Sequence, residues 1–241
     1  MKFFNTILNV IFPVNCISCG KTGSDLCTEC LLGSPAAERE SATWIFPLFD
    51  YRHPPIKKSI WLLKYKGKKK LANTFAEIIY GKIIEELSEL SMMSNFSDPI
   101  LIPIPLSKKR YRERGYNQAQ LICEELIKIQ KRNYLTPPSA PLSLIRRGAG
   151  GEVSILNENF NLLNNILIKT KETEHQVNIK DRSVRLKNLS NSFSVKNPEL
   201  IKGRNIILID DVLTTGATLA EAKKTLKQFG VKKVIAFTIA H

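Results

Sequence analysis

The strongest structural signal in this 241-residue chain lies in one stretch, Ile206-Ile-Leu-Ile-Asp-Asp-Val-Leu-Thr-Thr-Gly-Ala-Thr218. Its first four residues are apolar and three of them are β-branched, which predicts a buried strand. A polar loop around Gly216 follows, and apolar residues then recur at helical spacing up to Phe229. Gly230 predicts the end of that helix, and residues 234–240 predict another buried strand. Together these elements predict a βαβ unit with a polar loop where such sheets bind ligands.

Residues 212–218 have the composition of an anion-binding loop. Unpaired N–H groups at a helix N-terminus attract a phosphate, Gly216 lets the backbone close on it, and three threonines add hydroxyl donors. Asp210 and Asp211 would repel a phosphate, but they suit sugar hydroxyls or a Mg²⁺ ion beside it. A ligand with a 5-phosphate, a ribose diol and a metal-bound diphosphate would satisfy every part. The alternative is an ordinary strand–helix turn with acidic caps.

The segment from Asp210 to Gly216 resembles the phosphoribosyl diphosphate (PRPP) signature of type I phosphoribosyltransferases. The resemblance implies an α/β fold with a parallel sheet and flanking helices. It implies that Asp210 and Asp211 are catalytic and that Mg²⁺ accompanies PRPP. It also implies PRPP binding by the loop residues Val212, Leu213, Thr214, Thr215, Gly216, Ala217 and Thr218.

Four cysteines near the N-terminus form two C-x-x-C pairs, Cys16 with Cys19 and Cys27 with Cys30. Two such pairs can supply four thiolates to one tetrahedral metal ion, which leaves no open coordination position and indicates a structural site. Zinc is the expected metal, and iron, a disulfide pair or a redox motif are the alternatives. A metal would also supply folding energy that about thirty residues lack. The fifth cysteine, Cys123, is expected to be a small core residue.

Further motifs resemble those of the ComF family, which consists of phosphoribosyltransferase-like proteins, some of them needed for DNA uptake in natural transformation. The pieces occur in the family's order: the cysteine knuckle, Lys64–Gly67, Pro103–Leu106, Arg112–Gln118, Gln176 with Ile179, Arg185 with Asn188 and Phe193, and the acidic signature. The resemblance implies a knuckle region of residues 1–35 and a phosphoribosyltransferase-like domain of residues 36–241.

Two features depart from the family pattern. Residues 134–161 are rich in Pro, Gly and Ser and are predicted to be a disordered insertion. Upstream of Gln176 the family tends to have an arginine, where this chain has Lys169, Lys171 and Glu172. Lysine supplies the charge without the bidentate geometry of arginine.

The chain carries 36 Lys and Arg against 22 Asp and Glu, a net charge of +14 that favours anionic partners. A generally lysine-rich composition is the plainer explanation. We expect Arg112 and Arg114 to bind the diphosphate, and Lys64 to close over the site. The alternative for each is a solvated basic surface residue.

No apolar run reaches the ~20 residues that span a bilayer. Residues 1–12 lack a cleavage site and predict an amphipathic helix, so a cytoplasmic location is expected. The predicted function is PRPP-dependent glycosyl transfer to an unidentified acceptor. The alternative is a non-catalytic PRPP sensor or an accessory protein that binds single-stranded DNA beside a competence helicase, and a degenerate scaffold is a third possibility.

Overall fold

The computed structural model describes residues 13–38, 41–94, 96–135, 160–170 and 192–241. Five strands in these ranges form a parallel sheet in the order β1-β7-β6-β2-β3. They are β1 (Ile45–Phe49), β2 (Ile100–Pro103), β3 (Asn161–Leu162), β6 (Asn205–Val212) and β7 (Lys233–Ala240). The parallel sheet is confirmed, and β6 is its central strand.

Two short strands, β4 (Leu167–Lys169) and β5 (Phe193–Val195), pair in antiparallel fashion outside this sheet. The helices of the described residues are α1 (Thr28–Leu32), α2 (Pro54–Tyr65), α3 (Lys70–Ser94), α4 (Lys108–Arg114), α5 (Gln118–Leu135) and α6 (Ala217–Gln228). Local sequence sets several of their ends. Two prolines begin α2, where a missing N–H costs nothing, and Gly115 ends α4 with a positive φ of 75°.

Other elements pack on both faces of the sheet, and successive side chains of β6 point alternately to one face and to the other. Ile207 and Ile209 belong to the core cluster that includes residues of α2, α3 and α5, whereas Ile206 and Leu208 belong to the cluster with α6, β4 and β5. This division follows from the alternation of side chains along a strand. Asp210 and Asp211 are the next residues of the same strand, so their side chains point to opposite faces.

The cysteine region packs on the body of the domain rather than standing apart. Cys16, Leu26 and Leu31 are buried in the same cluster as Ile56, Ile60 and Leu63 of α2, among others. Burial of apolar surface therefore joins the knuckle to the core cluster of which α2 is a part.

Some predicted boundaries are wrong. The polar composition of residues 91–99 predicts a linker, and the apolar pattern predicts a helix from Gln118 to about Gln130. Helix α3 instead continues to Ser94, and α5 continues to Leu135. Residues 108–114, to which the sequence pattern assigned no helix, form α4; the side chain of Ser107 caps this helix by accepting a hydrogen bond from the N–H of Arg110.

Several predictions fall on residues outside the described ranges. These are the amphipathic helix of residues 1–12, most of the predicted insertion, and the motif residues Gln176, Ile179, Arg185 and Asn188. Within the predicted insertion, Phe160 is buried and Asn161 begins β3. Gln130 fixes Phe160 by hydrogen bonds to both its N–H and its carbonyl group, at 3.1 and 3.3 Å. None of the helices described has the length and apolar character that a membrane span requires.

Candidate functional site

The acidic pair lies at the carboxyl end of the central strand. Asp210 and Asp211 are residues six and seven of β6, and the N–H of Asp211 donates a hydrogen bond of 2.8 Å to Oδ1 of Asp210. Asp210 is half-buried and Asp211 is buried. Two neighbouring carboxylates in such a position need compensating positive charge.

Lys64, in the last turn of α2, supplies part of that charge. Its Nζ lies 2.8 Å from Oδ1 of Asp211, and the two side chains are only 18% and 12% exposed. Asp211 points to the face of the sheet that α2 covers, which explains why α2 supplies its partner. The structure therefore brings together two residues that sequence analysis placed in one site.

The environment of Asp210 disfavours its charged form. Burial and the negative charge of Asp211 raise the pKa of the Asp210 carboxyl to about 7, against the opposing effects of the Asp211 N–H, Lys64 and Lys169. Asp210 is therefore only partly ionised near neutral pH, and a cation or hydroxyl donor that binds it would favour the charged form.

Lys169, at the end of β4, faces the same side of the sheet as Asp210. Burial and the positive charge of Arg110 lower the pKa of Lys169, whereas Asp210 raises it. Its ammonium lies 5.9 Å from the ring centre of Phe193. In the sequence, Lys169 departs from the family pattern, and Arg110 belongs to the Arg110–Arg112 stretch, whose arginines and tyrosine favour contact with a single-stranded nucleic acid. The fold thus brings Lys169 close enough to interact electrostatically with both Arg110 and Asp210.

The loop after β6 leads directly into α6. Leu213 is buried and its N–H donates to the carbonyl oxygen of Ala240 at 2.8 Å, which ties the loop to β7. Gly216 has a φ of 74° and precedes the first residue of α6, which has no side-chain cap at this position. The hydroxyl of Thr215 accepts a long hydrogen bond, 3.4 Å, from the N–H of Ala217. Backbone donors at the start of α6 thus face the loop, as an anion site requires.

The predicted basic residues differ in their surroundings. Arg112 is exposed on α4, whereas the guanidinium of Arg114 donates to Oε1 of Gln118 at 2.8 Å and to the hydroxyl of Tyr65 at 3.3 Å. Arg114 also stacks on the Tyr65 ring, with its central carbon 5.1 Å from the ring centre. Diphosphate binding by either arginine stays a prediction.

Other residues of the Arg112–Gln118 motif connect the start of α5 to neighbouring elements by hydrogen bonds. The Tyr116 hydroxyl donates a hydrogen bond to the carbonyl oxygen of Leu63, and the Asn117 amide donates to the carbonyl oxygen of Ile104 at 2.9 Å. Oδ1 of Asn117 accepts from the N–H of Ala119 at 3.0 Å and caps α5. Tyr116 and Asn117 thus connect the end of α2, the end of β2 and the start of α5.

The four cysteine sulfur atoms converge at one point. All of them lie within 4.8 Å of one another, and the sulfurs of Cys19 and Cys27 are 3.8 Å apart. Four sulfurs at about 2.3 Å from a tetrahedral metal are about 3.8 Å from each other. The residues therefore fit a metal ion bound by four thiolates.

Hydrogen bonding within the knuckle favours the thiolate form of Cys16. The N–H of Cys27 donates to the sulfur of Cys16 at 3.4 Å. Burial raises the pKa of Cys16, but backbone donors at Cys19, Cys27 and Ser18 outweigh it and lower the pKa to about 6. A thiolate ligand is thus available at Cys16 at neutral pH. At Cys30 a hydrogen bond with Ser18 lowers the pKa, but hydrogen bonds with Cys27 and Cys19 outweigh it and raise the pKa to about 12.

Comparison with known proteins defines the class first. The phosphoribosyl transferase domain family matches residues 163–241, which include β6, the loop after it, α6 and β7. Hypoxanthine phosphoribosyl transferase of Trypanosoma cruzi aligns with 70% of this chain and 64% of its own, at 9% identity and a TM-score of 0.38. That structural likeness is weak, so the class rests on the family match and the observed sheet. Residues 163–241 are therefore similar to a phosphoribosyl transferase domain, and the parallel sheet agrees with that class.

Several known proteins align with most of this chain. Competence protein F of Haemophilus influenzae is 27% identical over 92% of this chain and 83% of its own length. DNA utilization protein YhgH of Escherichia coli K12 is 26% identical over 91% and 80%. Competence protein ComFC of Bacillus subtilis is 30% identical over 76% of this chain and 59% of its own. The chain is thus similar over most of its length to competence and DNA utilization proteins, which is consistent with the ComF family.

Proposed function

We propose that this protein binds PRPP with Mg²⁺ at the carboxyl end of β6 and transfers the phosphoribosyl group to a nitrogen acceptor. The observation that carries the proposal is the acidic pair at the end of the central strand, directly before a helix N-terminus with no side-chain cap. The negative and the positive ends of the site are thus adjacent in the chain, as a ligand with both hydroxyls and a phosphate requires.

In this proposal different groups of the chain bind different parts of the ligand. N–H groups and threonine hydroxyls of residues 214–218 bind the 5-phosphate, while Asp210 and Asp211 accept hydrogen bonds from the ribose hydroxyls. Lys64 holds Asp211 in place. Loss of diphosphate leaves positive charge at C1 of the ribose, and the two carboxylates stabilise that charge. Mg²⁺, when bound with PRPP, would neutralise charge on the diphosphate.

A thermal-shift titration tests ligand binding. PRPP with Mg²⁺ at about 100 times its dissociation constant should stabilise the wild-type protein by about 2.7 kcal/mol. Ribose 5-phosphate, which lacks the diphosphate, should stabilise it less at equal concentration. Asp211→Asn should lose the effect, whereas Glu221→Gln on the body of α6 should keep it. Equal stabilisation of the two variants would reject the acidic pair as the binding site.

Turnover needs a separate assay. Diphosphate release is measured with PRPP, Mg²⁺ and a panel of nucleobases and amines. Release that requires one acceptor and disappears in Asp210→Asn would support transfer. Binding without release for any acceptor would support a PRPP sensor instead.

A second candidate function, binding of single-stranded DNA, is favoured by the surface around the end of α2. Trp61 and Tyr65 are exposed large aromatic residues, with ring centres 6.4 Å apart. The ammonium of Lys66 lies 5.2 Å from the Trp61 ring centre, and Arg114 stacks on Tyr65. Residues 54–70 contain seven lysines and no acidic residue. Exposed aromatics among cations are the usual platform for unpaired bases.

Fluorescence anisotropy with a labelled oligonucleotide tests this surface. Trp61→Ala should weaken binding of single strands by about 1–3 kcal/mol. The matched control is Trp44→Ala, since Trp44 also lies beside a lysine but at the opposite end of the sheet, before β1. Equal loss in both variants would contradict a specific platform.

We also assign zinc to the cysteine knuckle. Four thiolates in tetrahedral spacing suit zinc and leave no position for a substrate. Purified protein should contain one zinc per chain by elemental analysis, and Cys19→Ser should reduce that content. Iron in equal amount would correct the metal, and no metal would reject the site.

A further inference from the structure

The cysteine knuckle and the acidic pair contact the same short segment of chain, residues 64–69, here called the α2–α3 junction. At one end of the junction, Nζ of Lys64 lies 2.8 Å from Asp211. At the other end, Nζ of Lys68 lies 3.0 Å from Oδ1 of Asp25, a residue of the knuckle. Only three residues of the chain thus separate a contact with the metal-binding region from a contact with the candidate PRPP site.

Asp25 is well placed to fix the junction. Its side chain is only 9% exposed, and its carbonyl oxygen accepts a hydrogen bond of 2.9 Å from the N–H of Ile17. Asp25 lies two residues before the ligand Cys27, so a metal bound by the cysteines would hold its backbone in place. An ion pair with one buried partner is less screened than a fully exposed one.

Backbone hydrogen bonds restrain the junction at Lys66, whose N–H donates to the carbonyl oxygen of Leu62 at 3.0 Å, and at Lys69, whose N–H donates to that of Gly67 at 2.8 Å. The restraint is weaker between them. Gly67 has a φ of 65°, and the N–H of Lys68 reaches the carbonyl oxygen of Leu62 only at 3.4 Å. Tyr116 anchors the preceding residue, Leu63, through its carbonyl oxygen, and Lys69 packs over the Tyr116 ring at 4.6 Å. The Asp25–Lys68 ion pair therefore adds a restraint from the knuckle side.

We propose that Asp25 is a positioning residue: the metal-loaded knuckle, through the Asp25–Lys68 ion pair, fixes the α2–α3 junction and with it the Lys64 side chain against Asp211. The proposal gives the knuckle a role in ligand binding beyond its own folding. It rests on the proposed function only where PRPP binding is the measurement.

Hydrogen exchange tests the restraint without any ligand. Asp25→Asn and Lys68→Met should each speed amide exchange in residues 62–69 by about fivefold or more, since coupling energies between sites are typically of this size. The double variant should equal either single variant, because both remove the same contact. Lys68→Met lies outside the knuckle, so it remains informative if Asp25→Asn loses metal.

Glu29→Gln is the matched control. Glu29 pairs with Lys21 at 3.3 Å within the knuckle, but both side chains are largely exposed and neither contacts the junction. Exchange in residues 62–69 should be unchanged in this variant. The proposal would be overturned if amide exchange in residues 62–69 were as slow in Lys68→Met as in the wild type. It would also be overturned if Glu29→Gln increased that exchange as much as Lys68→Met does.

PRPP affinity then links the restraint to the site. In calorimetry with PRPP and Mg²⁺, the Lys68→Met variant should bind PRPP at least about fivefold more weakly than the wild type, at unchanged zinc content. The Lys68→Arg variant should bind it as the wild type does. Unchanged affinity in Lys68→Met would overturn the link. Absence of PRPP binding by the wild-type protein would reject the proposed function alone, because the exchange experiment would still test the restraint.

Discussion

The substitution Asp210→Asn should stabilise the protein at alkaline pH while it removes a ligand-binding group. Asparagine keeps the size of the side chain and the oxygen that accepts the Asp211 N–H. It removes a carboxyl whose pKa is raised from 3.8 to about 7, mainly by burial and next by the charge of Asp211. A raised carboxyl pKa destabilises the folded state as pH rises from about 4 to about 7, because the unfolded chain ionises more easily.

The size of the stabilisation follows from how far the pKa of Asp210 is raised. About 3 pKa units at 1.36 kcal/mol each set an upper limit of about 4 kcal/mol above pH 7. Asp210 is partly exposed, and solvent screening reduces this to about 1–3 kcal/mol. At pH 4 the effect should nearly vanish, because both states of the chain then bind the proton.

Urea unfolding of both proteins at pH 4.5 and pH 8 measures the difference. We expect the free energy of unfolding of Asp210→Asn to exceed that of the wild type at pH 8, and the gap to shrink at pH 4.5. Asp211→Asn is the matched control and should destabilise instead, since it leaves Lys64 without its partner. The reasoning would be refuted if the difference in the free energy of unfolding between Asp210→Asn and the wild type were the same at both pH values. A lower free energy of unfolding for Asp210→Asn at pH 8 would also refute it.

Three further changes have defined outcomes. Lys64→Met, which keeps the aliphatic stem, should lower the free energy of unfolding by about 2–3 kcal/mol at pH 8 and by less at pH 4.5, measured by urea unfolding; equal losses would argue against charge compensation. Gly216→Ala should cost about 1–2 kcal/mol because Gly216 has a φ of 74°, whereas Gly81→Ala within α3 should be neutral or stabilising by the same assay. Chelation of the metal should lower the melting temperature, and an unchanged melting curve would contradict a structural metal.

The sequence was most informative where a signal is local. The segment β6, α6 and β7 was predictable because apolar runs, a glycine and helical spacing follow one another within forty residues or so. The cysteine knuckle was predictable because four ligands lie close together in the chain. In both places the residue types themselves restrict the structure.

Helix α4 was missed for a physical reason. None of its residues is buried, so it has no apolar stripe that sequence periodicity would reveal. A serine cap and Gly115 define its ends instead. Such a short helix is fixed by its ends and its neighbours.

Contacts distant in sequence were not predictable either. Nothing in the sequence around Lys64 identifies Asp211 as its partner, and nothing around Lys68 identifies Asp25. The opposite orientations of Asp210 and Asp211 required the finding that β6 continues through both residues. These pairs form only because the folded chain brings residues 64 and 68 close to residues that are distant in sequence.

A crystal structure of the protein grown with PRPP and Mg²⁺ tests the central claim most directly. Our account predicts phosphate density at the N-terminus of α6, within hydrogen-bonding distance of backbone N–H groups of residues 214–218, and ribose hydroxyls on Asp210 and Asp211. PRPP bound elsewhere, or no density at millimolar ligand while the acidic pair stays accessible, would contradict it.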